Sequence, residues 1–245
     1  MKRFYPRERG WIDGTTEFHA LIAEACGRGG RLLEIGAGPT NDTSRFLAGL
    51  GELHGLDPDP DVRSNEVLVT ASVLSGDTYP YEDGRFDHCV SNYVVEHVPD
   101  ADSHLREIRR VLKPGGSYVF RTPNRFHYVA MVAALTPHWF HKLVANPLRN
   151  LPAGAHDPYP TVYAMNSEGA IRRAADRNGF EVERLRMVEK EPSYGMIARP
   201  LFLAFLLYER LVNSTEALAN FRANFLVVLR KSGTGVAPNG LASPP

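Results

Sequence analysis

Charge bias, cysteine and long apolar runs are all scarce in this sequence. Basic and acidic residues number 28 each, so no net field draws the chain toward nucleic acid. The two cysteines are Cys26, near the end of a helical pattern, and Cys89, inside an apolar run. That excludes a disulfide framework and fits a reducing cytoplasm. The N-terminus carries Lys2, Arg3 and Arg7 with no apolar core behind them, which argues against a secretory signal. Residues 200–207 are strongly apolar, but Arg199, Glu209 and Arg210 bracket them too closely for a bilayer span. A lid, a dimer contact or a membrane-surface helix over about residues 196–213 would each account for that stretch. No internal repeat is present, and 245 residues with 43% hydrophobic content suffice for one sizeable core.

What is present is an apolar run, Arg31-Leu32-Leu33-Glu34-Ile35, that ends in Gly36-Ala37-Gly38-Pro39. Glycines at 36 and 38 let the backbone turn tightly and approach a ligand that a side chain would push away. Asp57 closes a second apolar run nineteen residues after Gly38. An acid so placed is where a parallel α/β sheet sets a carboxylate against the two hydroxyls of a ribose. A dinucleotide fingerprint wants a third glycine three residues after the second, and here that residue is Asn41. Glu34 makes the turn less welcoming to a pyrophosphate and offers an acceptor for an ammonium group or for the loop amides. The ligand is therefore expected to be a nucleoside with a cationic, amino-acid-like tail. A nicotinamide-dependent oxidoreductase or a non-catalytic cofactor-binding module are the readings from other classes.

With these residues the sequence resembles the class I S-adenosylmethionine-dependent methyltransferases. Leu-Glu-Ile-Gly-Ala-Gly-Pro (33–39) is similar to their first motif, and Gly-Leu-Asp-Pro-Asp (55–59) to their ribose-binding acid. Tyr-Pro-Tyr-Glu-Asp-Gly-Arg-Phe-Asp (79–87) and Ser-Asn-Tyr-Val-Val-Glu-His-Val-Pro-Asp (91–100) resemble the LPF…FD and VLEHV segments of the small-molecule branch. Leu-Arg-Glu-Ile-Arg-Arg-Val-Leu-Lys-Pro-Gly-Gly (105–116) resembles that branch's helix and LKPGG turn. The blocks run in order over about residues 30–124. The resemblance implies S-adenosyl-L-methionine as cofactor and a doubly wound α/β domain with a mostly parallel seven-stranded sheet.

Periodicity places the elements. Phe18, Leu21, Ile22 and Ala25 recur at helical spacing over about residues 15–26. Strands are expected at 31–35, 52–56, near 67–74, 86–91, 117–121, 180–188 and 224–231, with a short helix over 42–48. Leu105, Ile108 and Leu112 form the apolar stripe of a helix that Pro114-Gly115-Gly116 stops. Asn166 or Ser167 caps another helix, which Gly179 ends. Residues 1–231 are read as one domain, and the Gly, Pro and Ser-rich tail, 232–245, as disordered. Residues 124–165 are too long for an ordinary connection and are read as a lid inserted after the fifth strand.

Within that frame the cofactor site is expected to use Glu34, Gly36, Ala37, Gly38, Asp57, Pro58, Ser91, Asn92 and Tyr93. Similar sequences place an acid four residues before the LPF block. Here the count reaches Ser75, so Ser75 and Gly76 are expected at the adenine, with Asp77 as a fallback acceptor. His127, then His156, and His97 are the candidate bases for deprotonating an acceptor. Some relatives bind a metal through Glu-x-x-Glu-His, but Tyr93 replaces the first Glu before Glu96-His97, and none is expected here. Of His127, His138, His141 and His156, only His156 has a close acid, Asp157, and adjacent residues rarely share one metal. The reading is methylation of a small molecule, at oxygen. The alternative is carbon or nitrogen methylation of a quinone-like or lipid acceptor.

Overall fold

The computed structural model describes residues 5, 10–128, 159–190 and 199–233. Seven strands form one sheet: β1 Arg31–Ile35, β2 Glu52–Asp57, β3 Thr70–Val73, β4 Phe86–Asn92, β5 Leu112–Pro123, β6 Phe180–Val188 and β7 Asn224–Lys231. Their order is β3-β2-β1-β4-β5-β7-β6. β1 to β5 pair in parallel, and β7 is antiparallel to both its neighbours. The winding reverses between β1 and β4, so a crevice opens there at the carboxyl ends of the strands.

The strands are apolar on both faces because helices cover both. Leu32, Val90, Val119, Leu226 and Val228 pack with Phe18, Leu21 and Ile22 of α1 (Gly14–Cys26) and Leu47 of α2 (Asp42–Ala48). Their neighbours Leu33, Cys89, Phe120 and Val227 point the other way. There they meet Leu105 and Ile108 of α3 (Ala101–Val111) and Ile171 and Ala175 of α4 (Glu168–Arg177). The period-two alternation thus feeds two separate core layers.

Local chemistry sets the helix ends. Asp13 accepts from Thr16 N at 2.8 Å to start α1, and Asp100 accepts from Asp102 N and Ser103 N to start α3. Ser167 caps α4 through Ala170 N. The C-terminal carbonyls of α3 receive Lys231 Nζ, which donates to Arg109 O and Leu112 O. The expected stripe of α3 needs one correction. Val111 completes it, and Leu112 already belongs to β5, paired with Phe86. The Pro-Gly-Gly segment sits inside the irregular start of β5, where the register shifts, because Gly115 (φ +73°) lets the strand bulge.

The expected strand at 67–74 is shorter, Thr70–Val73. The apolar stretch near 200 is helix α5, Arg199–Asn213. Leu206 and Val212 are buried on it, and Leu203, Leu207 and Leu211 are exposed. Among the described residues no helix is long and apolar enough to cross a membrane. Of the expected lid, residues 124–128 and 159–165 are described; the rest, with His138, His141 and His156, lies outside the described residues, as does the tail from 234.

Candidate functional site

The turn after β1 is built for close approach. Gly36 (φ +72°) and Gly38 (φ +52°) are left-handed, and Gly36 N donates to Leu56 O at 2.7 Å. A Cβ on Gly36 would lie 2.3 Å from Val94 Cγ2, so that position has neither the conformation nor the room for a side chain. Gly38 faces open space, and its need is conformational. Asn41, the residue that breaks the dinucleotide pattern, stabilises the turn. Its Oδ1 accepts from Thr43 N and Ser44 N, and its Nδ2 donates to Ala37 O and Pro39 O. Ala37 is buried, so only its backbone faces the turn.

Two carboxylates flank the turn in different states. Asp57, at the end of β2, accepts from Gly38 N at 2.9 Å through Oδ2 and from Asp59 N at 2.8 Å through Oδ1. A carboxylate has about four lone-pair sites. Each oxygen therefore keeps one for a diol, and the residue fits a ribose. Burial raises the Asp57 pKa, against the two amide hydrogen bonds that lower it. Glu34 is 2% exposed and accepts from Ser44 Oγ at 2.6 Å. Burial pushes its carboxyl up to about 7. Its contact is with the first turn of α2 rather than with the loop amides. Asn65 Nδ2 ties Ser44 Oγ to Gly38 O and so joins this pair to the turn.

A polar cavity of about 360 Å³ lies beside the turn, lined by Thr15, Glu34, Gly36, Asn41, Asp42, Thr43 and Asn92. Asn92 Nδ2 donates to Thr43 Oγ1 at 3.1 Å, and Arg121 Nε donates to Asn92 Oδ1 at 2.8 Å. Tyr93 follows in a left-handed conformation (φ +59°), which sets its ring over the Arg121 guanidinium. Ser91 departs from expectation. It points to the opposite layer, where its hydroxyl bonds Tyr118 OH at 2.7 Å, so it gives the cavity no side chain. Pro58 is exposed beyond Asp57, and Ser75, Gly76 and Asp77 form an exposed bend at the end of the edge strand β3. Thr15, Asn41, Asp42, Thr43 and Arg121 were not expected at the site. Asn41 alone had a readable signal, a capping residue directly before a helix.

The histidines separate. His97 lies in a 3-10 turn, Val95–His97, after β4, and its Nδ1 donates to Pro160 O at 3.1 Å. Tyr159 packs against its ring, and the Tyr159 phenol, raised first by burial, also feels the carboxylates of Asp59 and Asp57. His97 therefore stands at the same edge as Asp57. Glu96 is structural: Thr122 Oγ1 donates to its buried carboxylate, and its carbonyl accepts from Val162 N and Tyr163 N. Burial raises its pKa. His127 is buried against Tyr128 and Tyr208, with Nε2 3.3 Å from Glu189 Oε2. Its contacts are with α5 and the end of β6 and include no cavity residue. Among the described residues no cluster of His, Cys, Asp and Glu has metal-binding geometry.

Comparison with known proteins bears on this geometry. The sequence matches the family described as "Methyltransferase domain" over residues 5–185. It is 31% identical over 166 residues to an uncharacterised 37.1 kDa transposon protein of Streptomyces fradiae, covering 59% of this chain and 48% of that one. The chain thus spans about half the length of that relative. It is 28% identical over 199 residues to a ubiquinone biosynthesis O-methyltransferase of Ralstonia nicotianae, covering 79% of this chain and 76% of that one. The fold is similar to geranyl diphosphate C-methyltransferase of Streptomyces coelicolor, solved with magnesium, geranyl diphosphate and S-adenosyl-L-homocysteine. The TM-score is 0.55 at 15% identity, over 89% of this chain and 80% of that one.

Proposed function

The chain belongs to the Methyltransferase domain family and is an S-adenosylmethionine-dependent methyltransferase, and from that premise we propose that it methylates a hydroxyl group of a small organic acceptor. S-adenosylmethionine supplies a methyl already activated on a sulfonium, which leaves the protein mainly alignment to do. Asp57 would take the ribose hydroxyls on its two remaining acceptor sites, and the backbone at Gly38, open on its Cβ side, would admit the nucleoside. Thr43 and Asn92 present polar side chains to its tail.

The observation that carries oxygen as the target is the hydrogen bond between His97 Nδ1 and Pro160 O. Pro160 O can only accept, so Nδ1 donates to it, which leaves Nε2 as the ring nitrogen open to an acceptor. Nε2 is then the atom that takes the acceptor's hydroxyl proton as the methyl transfers. The name of the Ralstonia relative points the same way. His127, buried 3.3 Å from Glu189 without a hydrogen bond between them, is the second candidate base, and His156 the third. The exposed stripe of Leu203, Leu207 and Leu211 favours one further reading, an acceptor drawn from a membrane surface or a dimer contact there. The two free thiols, Cys26 and Cys89, fit a cytoplasmic setting.

The test uses methyl-labelled S-adenosylmethionine with a panel of phenols, amines and activated carbon acids. Methoxy products are expected, and turnover restricted to N- or C-methyl products would refute the assignment. His97→Gln should lower kcat by roughly a hundredfold and leave S-adenosylhomocysteine affinity intact. If the loss falls on His127→Gln instead, the base is His127.

A further inference from the structure

A buried cation without a carboxylate stands at the rim of the cavity. Arg121, near the end of β5, is 6% exposed. The rings of Tyr93 and Phe18 lie 4.5 and 5.1 Å from its Cζ and hold the guanidinium plane. Nε is used by Asn92 Oδ1. The terminal nitrogens reach Thr15 Oγ1 alone, each at the long distance of 3.5 Å. Among the described residues the side-chain contacts of Arg121 are those with Asn92, Thr15 and the two rings, and no ion pair includes it; burial lowers its pKa, against the influence of Tyr93, Asp13 and Glu96.

Buried arginines are ordinarily paired, because desolvating a lone guanidinium is costly. Here the planar fork is fixed by aromatic contacts and by the Asn92 hydrogen bond, while its outer edge is left with one weak acceptor. Both of its polar contacts, Asn92 and Thr15, are cavity-lining residues, so that edge adjoins the cavity wall. Tyr93 holds its ring over the guanidinium from a left-handed backbone (φ +59°).

We propose that Arg121, with Thr15 and Asn92, forms a carboxylate subsite for a ligand entering this cavity. A planar monoanion matches the fork bidentately. A phosphate dianion matches less well, because Asp42 lines the same space. Two sources carry such a group: the aminoacyl end of the cofactor and an acid group on the acceptor. The inference rests on this cavity being the cofactor site proposed above.

Calorimetry on the full chain separates the cases. The probes are S-adenosylhomocysteine, 5′-methylthioadenosine, which lacks the aminoacyl tail, and benzoate added to the S-adenosylhomocysteine complex. If the cofactor's carboxylate is held, Arg121→Gln weakens S-adenosylhomocysteine by about tenfold to a hundredfold and leaves methylthioadenosine unchanged. If the acceptor's acid is held, both nucleosides bind normally and benzoate binding is lost. Arg121→Lys keeps the charge without the fork and decides the matter if the Gln variant does not fold; about a tenfold loss on the same probe is expected. Unchanged binding of all probes overturns the subsite, as does an equal loss of both nucleosides, which would make Arg121 a wall of the pocket. Failure of the wild-type chain to bind either nucleoside sinks the cofactor cavity itself, and the subsite with it.

Discussion

Glu34→Gln should stabilise this protein at neutral pH and do little in acid. The carboxyl is buried beneath the glycine turn with one hydrogen bond, from Ser44 Oγ, and its pKa rises from 4.5 to about 7. Burial is the first cause, and the nearby Asp57 charge adds to it. In the unfolded chain the proton leaves near 4.5; in the folded chain it is kept to about 7. The stability that the neutral form contributes is therefore fully present below pH 4.5 and is lost as pH rises through 7. A shift of that size corresponds to about 3 kcal/mol at full ionisation, an upper value because the structure relaxes around the charge. Glutamine has the same shape, can accept from Ser44, and never ionises. Urea unfolding of both chains from pH 4 to pH 8 tests this directly, since all other titrations cancel in the difference. The gap should open by roughly 2–3 kcal/mol, mostly between pH 4.5 and pH 7. A gap that stays constant over that range would falsify the neutral, buried Glu34.

Two further outcomes follow from the turn. Asp57→Ala should weaken S-adenosylhomocysteine by about a hundredfold or more, since two charge-assisted hydrogen bonds to hydroxyls are lost; unchanged affinity in a folded variant, by calorimetry, removes Asp57 from the site. Gly36→Ala combines a left-handed backbone with a methyl 2.3 Å from Val94 Cγ2. It should cost about 2–4 kcal/mol in denaturant unfolding. Adding Val94→Ala should recover the steric part only, and full recovery would show that the backbone conformation costs nothing.

The elements themselves were readable because their causes are local. α2 begins and ends where its pattern placed it, since Asn41 caps one end and Gly49 follows the other. β6 and β7 fall at their expected limits because an alternating stretch that starts just after Gly179 and an apolar run that starts at Asn224 leave little choice. Leu112 was misplaced for a reason equally local: a leucine fits the last turn of a helix as well as the first residue of a strand. Its pairing with Phe86, far away in sequence, decided between them.

From the sequence alone came the glycine turn, the acid nineteen residues beyond it, the order of the motif blocks and hence the family and its cofactor. Those depend on residue type and spacing within single segments. The tertiary structure decided which side chains meet. Ser91 and Asn92 are neighbours with equal claims, and the pleat sends one to Tyr118 and the other to the cavity. Thr15, Asn92 and Arg121 come from an N-terminal helix and two strands, and only the order β1-β4-β5 with α1 laid across it brings them together. His127 turns toward α5, while His97 Nδ1 donates to the carbonyl of Pro160, 63 residues away along the chain. Orientation of this kind arises from strand register and long-range packing, which no local pattern encodes.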